Sequence, residues 1–177
     1  MDQVALIWEP NDPKEPEMRI TYGELFEKVC VFANALKKIG IKKGDRIAIY
    51  LPMVPELPVA MLACARIGAV HSIVFAGFSA NSLADRINDS KCNLVITADG
   101  LFRGSKNVHL KSIVDEALAM CTSVEHVVVL NRTGDAIQMK EGRDIWWQDF
   151  IAGVSKENVA EVMDAEDTLF ILYTSGS

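Results

Sequence analysis

The sequence has no Cys-x-x-Cys pair, no excess of basic residues and no unbroken apolar run long enough for a bilayer, and each absence removes a class of function. Its four cysteines, Cys30, Cys64, Cys92 and Cys121, stand far apart, so no zinc site or dithiol redox centre is encoded at short spacing. They read as reduced core cysteines of a cytosolic protein, and a cytoplasmic location is expected. A net charge of −6 argues against nucleic acid as a partner, because neutralising a phosphate backbone takes a basic surface. The most apolar stretch, residues 58–78, is interrupted by Arg66, Gly68 and His71, and it reads as a buried helix and a buried strand, with no membrane span. The last Thr/Ser/Gly cluster ends at Ser177 with no glycine-lysine pair after it, so a phosphate loop of that kind is expected to be completed beyond Ser177.

What is present is alternation. The 177 residues, 50% of them hydrophobic, are material for about one domain with a sizeable core. Residues 4–9 read as a strand, followed by a turn rich in Pro and Asp over 10–16. Thr21 or Tyr22 opens a helix through Lys38 that Gly40 ends. Residues 45–51 form a strand of the kind covered on both faces, and Pro55 begins a helix that is apolar on nearly all sides from Val59 to Ile67. A strand over 70–75, a helix capped by Ser79 and running through Ser90, and a strand over 93–98 come next. A polar loop over 99–107, a helix over 110–121 and a strand over 126–130 follow. The chain then makes a hairpin-like excursion through Gly134 and Gly142, a short helix over 146–151 and an apolar strand over 168–173. Strand and helix alternate through most of the chain, so the expected class is α/β: a layered domain with a mainly parallel sheet flanked by helices.

In open parallel sheets, ligands gather beyond the carboxyl ends of strands. Three loops there have a composition suited to anions. Phe75-Ala76-Gly77-Phe78-Ser79 is either a tight strand-to-helix turn or a wall on which a flat heterocycle or phosphate lies against closely approaching backbone. Arg103-Gly104-Ser105-Lys106 is either a solvated loop or a flexible cationic fork, with the Arg bidentate and the Lys a point charge on a phosphate. Thr174-Ser175-Gly176-Ser177, after the last strand, is either an ordinary turn or a loop whose backbone N–H groups crowd around an anion. Elsewhere Trp146 and Trp147 are expected in core and edge packing, and His71 to satisfy a backbone group. The pairs Asp85–Arg86 and Asp115–Glu116 are expected on solvated helix faces.

Residues 20–25 (Ile-Thr-Tyr-Gly-Glu-Leu), 50–56 (Tyr-Leu-Pro-Met-Val-Pro-Glu), 65–72 (Ala-Arg-Ile-Gly-Ala-Val-His-Ser), 103–106 (Arg-Gly-Ser-Lys), 141–147 (Glu-Gly-Arg-Asp-Ile-Trp-Trp) and 169–177 (Leu-Phe-Ile-Leu-Tyr-Thr-Ser-Gly-Ser) resemble, in order and spacing, the acetyl-CoA synthetases of the adenylate-forming superfamily. The resemblance implies a two-step reaction: ATP, with magnesium, and acetate give acetyl-adenylate and pyrophosphate, and coenzyme A then displaces AMP to give acetyl-CoA. It implies that Arg103, Gly104, Ser105 and Lys106 bind the phosphorylated nucleotide end of coenzyme A. Phe75, Ala76 and Gly77 would flank the same ligand, with Ala76 standing where some members have glycine. Thr174, Ser175, Gly176 and Ser177 would be the first part of the ATP phosphate loop.

On this resemblance residues 1–177 are expected to be part of an amino-terminal AMP-binding domain, truncated at both ends, with the carboxy-terminal domain and its catalytic lysine absent. No catalytic residue or metal ligand is then assigned within the chain, which is expected to be inactive by itself and to self-associate through an uncovered strand. The expected partners are acetate, ATP and coenzyme A, with no nucleic acid and no membrane. A propionyl-CoA synthetase, a stand-alone nucleotide- or coenzyme-A-binding module and a structural fragment are the alternatives.

Overall fold

A computed structural model describes residues 1–12 and 14–174. In chain order the elements are a hairpin of β1 (Val4–Trp8) and β2 (Met18–Thr21), then α1 (Tyr22–Lys38), β3 (Arg46–Tyr50), α2 (Glu56–Arg66), β4 (Val70–Ile73), α3 (Ala80–Ser90) and β5 (Leu94–Ala98). A second hairpin, β6 (Leu101–Arg103) and β7 (Lys106–Val108), precedes α4 (Leu110–Leu118), β8 (His126–Leu130), β9 (Asp144–Trp146), α5 (Trp147–Ile151) and β10 (Phe170–Ile171). Six strands form one sheet in the order β10-β4-β3-β5-β8-β9, with every adjacent pair parallel.

Local chemistry sets the main elements. Thr21 Oγ1 accepts from the Glu24 N–H at 3.2 Å while the Glu24 carboxylate accepts from the Thr21 N–H at 2.8 Å, a reciprocal cap that starts α1 by satisfying its first free donors. Val29, Phe32, Ala33 and Leu36 bury one face of that helix, and Gly40, at φ +90°, turns the chain out of it. Every residue of β5 is buried, Thr97 included, as its mostly apolar run requires of a strand covered on both faces.

From β3 the chain crosses to β4 on one side, then returns past β3 to β5 and on to β8. With right-handed crossovers this reversal puts α2 on one face and α3 and α4 on the other. Helices α1 and α5 join the α2 face, where Trp147 stacks on Phe32 at 4.1 Å.

The fold corrects several expectations. Residues 99–107 are no loop: they contain most of the β6–β7 hairpin. The excursion through Gly134 and Gly142 is not a hairpin; it is irregular and leads into β9, an edge strand parallel to β8. Strand β2 was also not foreseen. These strands are only three or four residues long, too short to display a period of two.

Asp115 does not lie on a solvated face. Lys111, 1% exposed, reaches Asp115 at 2.7 Å, Asp144 at 2.9 Å and the Gln138 carbonyl at 2.8 Å, and Arg143 bridges the same two carboxylates. Burial pushes the Asp144 carboxyl up, but Arg143, the Lys140 N–H and Lys111 outweigh it and hold it below the usual carboxylate range. Arg86 is likewise half-buried, with its guanidinium over the rings of Phe78 and Tyr173 at 4.8 and 5.1 Å. His71 satisfies no backbone group through Nδ1, which is buried without a partner among the described residues. Its ring lies 5.8 Å from Phe170, and burial pulls its pKa down.

A strap over residues 152–169 carries the chain from the β9 edge to β10 at the opposite edge. Asn34 Nδ2 donates to the carbonyls of Ser155 and Glu157 at 2.9 and 2.8 Å, and its Oδ1 accepts from Asn158 at 2.7 Å. Arg66 donates to the Asn158 carbonyl at 2.6 Å, and Lys43 pairs with Asp167 at 2.7 Å. The strap delivers an edge strand with one neighbour among the described residues, β4, so Leu169 and Leu172 remain 53% and 65% exposed.

Candidate functional site

The reversal of strand order sets the carboxyl ends of β3 and β5 side by side, with Tyr50 opposite Thr97. In a doubly wound sheet this is where ligands bind, and a cavity of about 400 Å³ opens there. Its walls come from the segment after β3 (residues 51–54), Phe75, Ala76 and Gly77 after β4, the β6–β7 hairpin, Trp8 at the end of β1, and Arg132 beyond β8. Side-chain bonds tie these walls together. Trp8 Nε1 donates to the Met53 carbonyl at 2.7 Å, and Asn11 Nδ2 donates to the Gly104 carbonyl at 3.1 Å.

One buried carboxylate organises the side of the cavity nearest β8. Asp99 directly follows β5 and is fully buried. It accepts backbone N–H bonds from Gly100 at 2.7 Å, Arg132 at 2.8 Å, Thr133 at 3.0 Å, Gly134 at 2.8 Å and Asp135 at 3.2 Å. Burial pushes its pKa up, yet these N–H groups outweigh it and hold the carboxyl below its ordinary value. Asp135 in turn accepts from Asn107 at 2.8 Å and pairs with His109 at 2.8 Å, fixing the hairpin to the turn. Gly100 is required by this closeness, since a Cβ there would lie 2.8 Å from Thr133 Oγ1.

Four of the residues expected at a site, Phe75, Ala76, Gly77 and Arg103, line this one cavity. Phe75 is 62% exposed and meets Phe78 edge-on at 5.8 Å, leaving aromatic surface for a flat group. Ala76 is buried, so its methyl is accommodated. A methyl on Gly77 would come 2.5 Å from the Phe75 ring. Gly104, Ser105 and Lys106 sit at the hairpin tip, exposed and outside the lining. Arg103 and Lys106 face each other across the strand pair, and Gly104 makes the turn at φ +60°. The cationic fork is therefore built on two paired strands joined by a tight turn. Thr174 is exposed after β10 and is not in the cavity wall; Ser175, Gly176 and Ser177 lie outside the described residues.

Asp99, Trp8 and Arg132 were missed by sequence reasoning. The available signal was turn chemistry at two strand ends: Asp99-Gly100 after β5, and Asn131-Arg-Thr-Gly-Asp135 after β8.

The cavity can hold a ring against aromatic and apolar walls and an anion against guanidinium groups. No cysteine lines it, and elsewhere burial pushes the thiols of Cys64 and Cys92 up to about 12, which keeps them protonated. Among the described residues no group of three His, Cys, Asp or Glu side chains could hold a metal ion, and no helix is long and apolar enough to cross a membrane.

The acetyl-coenzyme A synthetase of Alkalilimnicola ehrlichii is 60% identical over 176 residues, and that of Salmonella typhi 57% over 178; each match covers 99% of this chain. The chain spans 27% of the length of these two curated relatives. Among solved structures, acetoacetyl-CoA synthetase from Streptomyces lividans superposes with a TM-score of 0.88 at 28% identity, covering 99% of this chain and 26% of that one. The family described as "AMP-binding enzyme" matches residues 1–177, and the chain belongs to that family.

Proposed function

We propose that this chain serves as part of the amino-terminal domain of an acetate–CoA ligase, which joins acetate to coenzyme A through an acetyl-adenylate at the expense of ATP. In the first step an acetate oxygen attacks the α-phosphorus of ATP and pyrophosphate leaves. In the second the coenzyme A thiol attacks the acetyl carbonyl, AMP leaves and the thiol proton is lost. The observation that carries the reading is the joint lining of one switch-point cavity by Phe75, Ala76, Gly77 and Arg103, with Lys106 opposite Arg103 at the hairpin tip. That combination suits a nucleotide bearing phosphates. The names of the relatives favour acetate over propionate, and their greater length supports the partial-domain reading, with the carboxy-terminal domain elsewhere.

In this reading Thr174, Ser175, Gly176 and Ser177 begin the ATP phosphate loop, and magnesium arrives with ATP. No described residue is assigned as a magnesium ligand, and no step is routed through the ion. Four free cysteines support a reducing, cytoplasmic setting.

In the full-length protein, Arg103→Ala or Lys106→Ala should raise the KM for coenzyme A about tenfold, as expected for a lost charge-assisted contact. The preference for coenzyme A over its dephospho form should shrink, and acetate-dependent pyrophosphate exchange should stay near its original rate. Equal damage to both half-reactions would sink the assignment. Residues 1–177 alone, given ATP, magnesium and labelled acetate, should release no pyrophosphate above background. Exposed Leu169, Phe170 and Leu172 support self-association of the isolated chain, and a clean monomer by light scattering would refute it.

A second reading has one observation in its favour. Every wall of the cavity comes from residues between Trp8 and Arg132, so the chain could bind a coenzyme A nucleotide without any later segment.

A further inference from the structure

We infer that Arg132 is a second anion-binding residue of the cavity, placed to take the 5′-diphosphate of the coenzyme A nucleotide while Arg103 and Lys106 take its 3′-phosphate. The inference rests on the coenzyme A reading above and names the division of labour within that site.

Arg132 lines the cavity with its guanidinium 5.3 Å from the Trp8 ring centroid and 5.5 Å from that of Phe102. Aromatic faces orient a guanidinium and leave its N–H edge free for a planar anion. Among the described residues it has no carboxylate within ion-pair distance. By contrast, Arg19 and Arg143 pair with acids, and Arg46 and Arg66 donate to carbonyls. Glu9, the one acid in the cavity wall, makes no ion pair with it. A half-buried guanidinium in a mostly apolar wall, held by rings and offered no acid, is poised for an anion from outside the protein.

The mounting is rigid. The Arg132 N–H donates to Asp99 at 2.8 Å, and Thr133, Gly134 and Asp135 bind the same carboxylate. Phe102, beneath the Arg132 guanidinium, adjoins Arg103 in β6, and Arg103 faces Lys106 at the tip. Arg103 and Arg132 thus line one cavity from two different segments, with Lys106 opposite Arg103 at the hairpin tip. Coenzyme A carries phosphates at two separate places on its nucleotide, matching two separate cationic places on this wall.

The test compares coenzyme A, dephospho-coenzyme A and pantetheine as acyl acceptors for the full-length protein. Arg132→Gln should raise the KM for coenzyme A and for its dephospho form about tenfold each, with their ratio preserved and pantetheine, which lacks the diphosphate, unaffected. Arg132→Lys should recover part of the loss, since it keeps the charge without the planar fork. Arg103→Ala should instead collapse the ratio. If Arg132→Gln leaves both constants unchanged while Arg103→Ala shifts the ratio, this inference fails and the coenzyme A cavity stands. If both variants are silent, the cavity reading falls with it. A loss that extends equally to pantetheine means that Arg132 only packs Trp8 against Phe102, which also overturns the inference. Should Arg132→Gln not fold, Arg132→Lys decides alone: a several-fold loss confined to the two diphosphate-bearing acceptors supports the proposal, and no loss refutes it.

Discussion

Two irregular segments leave the later part of the sheet, and they are held in opposite ways. The turn over residues 131–135 is fastened by one fully buried carboxylate that accepts five backbone N–H groups. The strap over residues 152–169 is fastened from outside by Asn34, Arg66 and Lys43, with Val159 and Val162 87% and 85% exposed. The first segment mounts a side chain in the cavity wall, where a displacement of an ångström would matter. The second only has to reach the far edge of the sheet. Buried charge is spent where geometry has to be exact in function, and exposed polar contacts suffice for a route; the two segments should differ accordingly in local stability.

The strongest way to break this contrast is Asp99→Ala. It leaves one buried and four part-buried N–H groups without their acceptor and should cost about 3–5 kcal/mol in urea unfolding, as for removal of one partner from a buried charged network. A loss no larger than that of a surface substitution would show that the turn is held by something else. Acid sharpens the same point. Because the folded pKa of Asp99 lies below its ordinary value, its contribution is complete above the unfolded carboxylate pKa near 4 and disappears as pH falls through the folded value. Asp99→Asn should therefore differ most from the parent protein above about pH 4, with the two stability curves converging in stronger acid.

A smaller loss is expected for Lys111→Met. The variant keeps the apolar stem but removes one of the two cations facing Asp144, whose side chain is fully buried. Arg143 remains, so the expected loss is about 1.5–3 kcal/mol, the range for a hydrogen bond to a charged group. A urea midpoint unchanged within error would show that Arg143 alone suffices. The smallest effect belongs to the strap. Asn34→Ala removes three hydrogen bonds to it and should lower global stability by only about 1 kcal/mol. Amide exchange in residues 155–171 should nevertheless quicken while that of β5 and β8 stays slow. Uniform acceleration would mean that the strap opens only with the whole domain.

Much of this layout was legible in the chain. Thr21 and Gly40 marked the two ends of α1, the apolar run of β3 declared a strand covered on both faces, and β5 and β8 were marked as strands. Phe75, Gly77 and Arg103 were picked out because aromatics, glycine and arginine at strand ends carry their chemistry locally. Asp99 was not, since its role depends on N–H groups from residues 132–135, which approach it only because β5 and β8 are neighbours. Lys111 and Asp144 were hidden for the same reason: a buried ion network is a property of three segments meeting, and each alone looks like polar surface. Arg132 sat in what read as an ordinary excursion, and only the rings of Trp8 and Phe102, from two separate hairpins, mark it out.

The order of the sheet also sets a schedule for synthesis. Strands β3, β4, β5 and β8 can assemble as soon as residue 130 has left the ribosome, but the outer flank of β4 stays open until Phe170 and Ile171 arrive to pair with His71 and Ser72. For all that time a growing chain presents an unpaired strand edge, the kind of surface that holdase chaperones recognise and that neighbouring nascent chains can invade. Ribosome pauses before residue 171 should therefore prolong the exposure of the β4 edge, and slower translation over the strap should raise the chance of mispairing there without altering any contact in the finished fold.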